Sequence, residues 1–160
     1  MNQTVILGRD LMSPKQAFVM MIQDRWWQQF LRKNREGSRV HSYVKTGVAP
    51  PKEVSTTLFY VTKPVGEMAG HAGFIERKVG EPIEMWKQYG HESAINSKEA
   101  YERFIGNSSR VSFIRFKNLR EATNPILLKE LLMLLDKKRL ARNGFYTDRK
   151  TMDRLVSIME

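Results

Sequence analysis

Apolar positions along this chain fall into short blocks, some spaced by four as in a helix stripe, others unbroken or alternating as in strands. Thr4-Val5-Ile6-Leu7 predicts a short first strand. Ser13-Pro14 predicts a helix start, since a serine side chain caps free amides and proline is preorganised for the first turn. Phe18, Ile22, Trp26 and Phe30 then recur every four residues, which predicts a helix to about Asn34 with Trp26 on the core stripe and Trp27 nearer the surface. From Ser38 to Lys45 the period drops to two: Val40 and Val44 share one face, and Arg39, His41, Tyr43 and Lys45 share the other.

The loop Thr46 to Glu53, with Gly47 and paired Pro50-Pro51, breaks regular structure and is a candidate cleft rim. Two central strands are expected next, Leu58 to Thr62 and the small-residue run Ala69 to Val79, joined by the bend Lys63-Pro64-Val65-Gly66. Pro82 to Tyr89 predicts a short helix closed by Gly90, and Ser97 caps another that turns Tyr101, Phe104 and Ile105 inward before Gly106. Arg110 to Lys117 predicts a strand, residues 125–139 a leucine-rich helix, Asn143-Gly144 a turn, Phe145-Tyr146 a short strand, and Thr147 the start of a last helix. The fold class is therefore α+β.

A length of 160 residues suits one domain spanning 1–160, with residues 1–37 forming a strand and helix packed on the rest. Apolar residues are 41% of the chain, enough for a core. There is no cysteine, which excludes a disulfide framework, a thiol nucleophile and sulfur-rich zinc sites, and fits the cytoplasm. No run approaches the roughly 20 apolar residues of a membrane span, so no membrane partner is expected. His41, His71 and His91 lack ligand spacing, so neither a metal nor another cofactor is expected. The net charge of +10 creates a potential that attracts polyanions, and nucleic acid is the first partner it suggests.

Several residues combine charge or a flat ring with a place where a cleft could open. Arg39, His41, Tyr43 and Lys45 alternate on one strand face, the mixture that phosphate contact and base stacking require. Tyr60 and Lys63 close a central strand, Trp86 shares a helix side with Tyr89, Arg115 and Lys117 end a strand, and Arg142-Asn143 precede a turn. Each has a structural use as well: Trp86 as core, Arg115 and Lys117 as a solvated edge, Asn143 as turn chemistry. For catalysis, a desolvated Lys45 could activate the Thr46 hydroxyl while Glu76 or Glu84 moves a proton. Trp27 and the 125–139 helix are candidate contacts for a protein partner.

The order of elements from Leu58 to Gly90, with the Lys63-Pro64 bend, the Gly70 and Gly73 strand and the closing Arg142-Asn143-Gly144-Phe145-Tyr146 segment, resembles the ASCH and EVE branches of the PUA-like superfamily over residues 38–158. It is similar above all to an archaeal-type domain family of that group whose function is undetermined. The resemblance implies a small, twisted, mostly antiparallel β-barrel with flanking helices and a cleft for RNA or a modified nucleobase. The ASCH pattern of Gly, Lys, Glu and Arg at alternating spacing is replaced here by Gly37 to Lys45, which favours an EVE-like or divergent binding role. A nucleic-acid-binding module, RNA favoured over DNA, is the leading expectation. A hydrolase acting on a modified nucleoside or on RNA is the alternative, since some ASCH proteins are amidohydrolases of acetylated cytidine and others cut RNA.

Overall fold

The computed structural model describes residues 15–160. The strand expected at Thr4 to Leu7 and the helix start at Ser13-Pro14 lie outside them. One sheet of six strands organises the chain: β1 (Ala17–Ile22), β2 (Val40–Thr46), β3 (Thr56–Val61), β4 (Glu67–Gly80), β5 (Val111–Leu127) and β6 (Phe145–Thr147). Among the described residues five α-helices flank it: α1 (Asp24–Arg35), α2 (Pro82–Tyr89), α3 (Lys98–Ile105), α4 (Leu128–Leu135) and α5 (Arg149–Met159), with a 3-10 turn at Gly90–Glu92. The strand order is β2-β5-β4-β3-β1-β6. All neighbours run antiparallel except β1 and β3, which are parallel.

The long first helix is corrected: Ala17 to Ile22 is a strand, and the helix begins only at Asp24. A spacing of four places residues on one face of a strand as well as one face of a helix. Phe18, Met20 and Ile22 enter one core cluster, while Ala17 and Val19 enter another on the opposite side. Starting the helix later also turns it. Trp27, Phe30 and Leu31 point inward, with Trp27 3% exposed, and Trp26 is only half-buried, the reverse of the expected assignment. Gly70 on β4 makes room for that indole: a Cβ there would lie 2.7 Å from the Trp27 ring and 2.4 Å from the Arg120 carbonyl oxygen.

The leucine-rich helix is also shorter than predicted. Asn124 and Pro125 still belong to β5, and α4 starts at Leu128. Pairing of β4 with β5 jumps from Gly70↔Glu121 to Met68↔Ile126, so Pro125 falls in a bulge where its missing N–H is not needed. At the C-terminus Asp148, not Thr147, caps the last helix, its carboxylate accepting from the Thr151 amide at 2.9 Å.

Three clusters fill the two faces of the sheet. Beneath α1 lie Phe18, Phe30, Phe59, Ile114 and Phe116. On the other face, α4 and α5 bury Leu131, Leu155 and Met159 against β1, β3 and β4, while α2 and α3 bury Met85 and Tyr101 against Val44, Val111 and Phe113. The expected closed barrel is corrected as well: β2 and β6 are the two ends of the strand order and do not pair with each other, so the sheet is open.

Candidate ligand hollow at the sheet seam

The open sheet nevertheless brings its two ends close together. Pairing of β1 with β6 spans only Ala17 to Val19, and beyond it the Tyr43 hydroxyl of β2 donates to the Met21 carbonyl oxygen at 3.2 Å. A side-chain hydrogen bond stands there in place of a backbone ladder. Burial of Tyr43 pushes its phenol up to about 12, so the hydroxyl stays protonated and remains a donor.

Beside this seam is a hollow of about 430 Å³, lined by Trp26, Tyr43, Lys45, Thr46, Phe104 and Asn143 together with the loop Val48 to Pro50. They come from four parts of the fold: Trp26 from α1, Tyr43, Lys45 and Thr46 from edge strand β2, Phe104 from α3, and Asn143 from the turn before β6. Phe104 is 38% exposed and meets Trp26 edge-on at 6.4 Å, so both rings border the opening. The Arg25 guanidinium lies 4.3 Å from the Trp26 ring centre.

The loop wall is fixed by a short chain of hydrogen bonds. Ser112 donates to the Gly47 carbonyl at 2.6 Å and accepts from the Ala49 amide at 2.9 Å, and Arg77 donates to the Ala49 carbonyl at 3.0 Å. Gly47 itself has φ +72°, a conformation that favours glycine. Lys45 Nζ stands 5.7 Å from the Tyr43 ring centre, and burial lowers its pKa from the ordinary lysine value. Among the described residues no carboxylate lines this hollow.

Of the residues singled out from sequence, then, Tyr43, Lys45, Thr46 and Asn143 come together. Arg39 and Lys117 share a separate hollow of about 470 Å³ with Ser38 and Asn118, at the opposite end of β2. Arg142 is exposed beside Asn143, and Lys63 is exposed in the turn after β3. Trp86 lies in a groove between α2 and α3, its ring stacked on Tyr101 at 4.5 Å.

Three residues are corrected by burial. His41 is fully buried rather than on an open strand face: it stacks on Phe116 at 5.4 Å and meets Asn34 Oδ1 through Nε2 at 3.2 Å. Burial, reinforced by the Lys33 charge, pulls it down to about 4 and keeps it neutral. Tyr60 is 4% exposed and packs in the core under α4 and α5. Arg115 is occupied by two carboxylates: its Nε and Nη2 donate to the two Glu92 oxygens at 2.9 Å each, and Nη1 donates to Glu76 at 2.5 Å.

That ion cluster also separates the proposed catalytic set. Glu76 pairs with Arg115 across the sheet and Lys45 pairs with Ser112, three residues away on β5, so Glu76 and Lys45 project from opposite faces. Glu92 is the member that sequence reading missed. Burial pushes its carboxyl up, but hydrogen bonds from Arg115 and from Ser42 at 2.9 Å more than offset this and hold it below the usual range. Trp26 and Phe104 were missed as well, because each sits at a position that also reads as core. Among the described residues no group of three or more His, Asp or Glu is placed to hold a metal ion, and no helix is long and apolar enough to cross a membrane.

No family model matches the sequence, and no curated protein is significantly similar to it. Solved structures are similar in shape. The crystal structure of ASCH from Zymomonas mobilis superposes with a TM-score of 0.72 at 18% identity, covering 91% of this chain and 96% of that one. A serine-to-alanine variant of the same protein gives a TM-score of 0.75 at 16% identity over 92% of this chain and 99% of that one. A tyrosine-to-phenylalanine variant gives 0.74 at 16% identity over 91% and 100%. The chain therefore has the fold seen in these ASCH structures.

Proposed function

We propose that this chain binds single-stranded RNA by admitting one nucleotide into the seam hollow. The observation that carries the reading is the convergence there of a cation, two bordering aromatic rings and a side-chain amide on a wall fixed by hydrogen bonds. Exposed ring surface on Phe104 offers stacking, which every base can use. Lys45 supplies a charge beside a phosphate, and Asn143 has both donors and an acceptor for a base edge. Arg39, just before β2, and Lys117, on the neighbouring strand β5, supply positive charge for the flanking strand. The ASCH fold and the net charge of +10 agree with such a partner.

Fluorescence anisotropy with labelled single-stranded RNA, single-stranded DNA and duplex tests the proposal. RNA is expected to bind more tightly than the other two. Lys45→Ala and Phe104→Ala are each expected to weaken RNA binding by roughly 1–3 kcal/mol, the scale of one lost stacking or phosphate contact. Unchanged affinity in both variants would remove the hollow from consideration.

A second reading rests on the lowered lysine. With a bend at the end of β2 to turn the two side chains together, the Lys45 amine could take the proton of the Thr46 hydroxyl as that oxygen attacks the acyl carbon of a modified nucleoside and return it to the departing amine, water then releasing the acyl group from Thr46. Incubating the protein with acylated cytidine separates the two readings. Product formation that Thr46→Ala abolishes, with RNA affinity retained, would favour the hydrolase.

A further inference from the structure

A groove of about 870 Å³ lies between α2 and α3, shares no lining residue with the seam hollow, and is reached by Lys33 of α1 as well. Each helix lines it with residues at the i, i+3, i+4 and i+7 positions: Ile83, Trp86, Lys87 and Gly90 on one side, Lys98, Tyr101, Glu102 and Ile105 on the other. Such parallel rows form a trough with an apolar floor. Ile83 is 53% exposed, a large aliphatic side chain left in water beside it.

We propose that this groove docks an acidic peptide segment of a partner protein, bearing apolar side chains that enter the trough. Two features select a peptide over nucleic acid. The Trp86 ring is stacked on Tyr101 and abuts Gly90, where a Cβ would come within 2.6 Å of the indole, so its surface is largely taken. Tyr101 is 1% exposed and its hydroxyl is tied to the Pro82 carbonyl at 2.7 Å. A base needs a free ring face, whereas Ile83 and Ile105 suit leucine or phenylalanine side chains.

Charge selects the acidic character. Lys33, Lys87 and Lys98 line the groove against a single carboxylate, Glu102. Lys33 also makes the groove rigid, donating to the His91 and Ser93 carbonyls at 2.9 and 2.6 Å and so fixing the segment that closes one end. Lys87 has one exposed partner, Glu84 at 3.5 Å, a contact that an incoming carboxylate can replace at little cost.

Selection from a random peptide display library on the full chain, followed by anisotropy with the enriched peptides, tests this. The expected peptides combine Asp or Glu with Leu, Ile or Phe. Ile83→Glu and the double variant Lys87→Glu/Lys98→Glu, all at exposed positions, should weaken them about tenfold or more, the scale of a lost anchor. Binding of poly(U), and of the peptide to Lys45→Ala, should be unchanged, which separates this groove from the seam. Failure to enrich acidic apolar peptides, peptide affinity retained in both variants, or loss of poly(U) binding on altering the groove would each overturn the proposal.

Discussion

Arg115 lies 18% exposed between the carboxylates of Glu92 and Glu76, and the Ser42 hydroxyl donates to Glu92 beside it. Removing the guanidinium leaves the Glu92 side chain, 9% exposed, with one hydroxyl donor against its charge. Arg115→Ala is therefore expected to lower stability by about 3–5 kcal/mol, the usual penalty for an orphaned buried charge, as read from urea unfolding. His41 supplies the pH dependence. Its folded pKa of about 4 lies below the unfolded 6.5, so between these values the unfolded chain binds more protons. Its contribution is complete above about pH 6.5 and is lost as pH falls toward 4, up to roughly 3 kcal/mol. His71, also lowered by burial, adds to the same window, so melts across pH 4–7 should compare His41→Phe with the parent. The variant should flatten the slope without abolishing it. Neither residue is legible in sequence: Arg115 reads as an edge cation because Glu92 lies 23 positions away, and His41 reads as surface because Phe30 and Phe116, which pack on it, are brought there by the fold.

At the level of elements, boundaries with local chemistry could be read directly. Pro82 and Gly90 bracket α2, and Ser97 caps α3 with its hydroxyl accepting from the Ala100 amide at 3.1 Å. Asn143-Gly144 turns into β6, with Gly144 at φ +88° and packed so closely on β1 that a Cβ would meet the Val19 carbonyl oxygen at 2.4 Å. Where two periods coincide, sequence does not choose, and the pattern over β1 fits a helix stripe as well as a strand face. The pairing of β2 with β1 through Tyr43 belongs to this scale too. Tyr43→Phe keeps the ring and removes one hydrogen bond, so a loss of about 0.5–1.5 kcal/mol is expected in denaturant unfolding. A stability equal to the parent's would mean that the seam bond adds nothing to holding β2 against β1.

Over the whole molecule, the +10 charge and the placement of Lys45 on β2, Arg39 just before it and Lys117 on the neighbouring β5 lead to a salt prediction. Contact with two or three phosphates of a single strand gives a slope of log affinity on log salt of about −1.4 to −2.1, and Lys45→Ala should reduce its magnitude by about 0.7. A salt-independent affinity would place binding outside these cations. The amino-acid sequence by itself determined the mixed α+β content, the short capped helices, the glycine turns and the cationic character, because each depends on a residue and its near neighbours. Only the tertiary structure decided that the sheet stays open, that Tyr43 bridges its ends, and that Lys45 and Glu76 stand on opposite faces. Those outcomes depend on the register between strands far apart in sequence and on which helix covers which face, and that is set by packing among side chains no local pattern brings together.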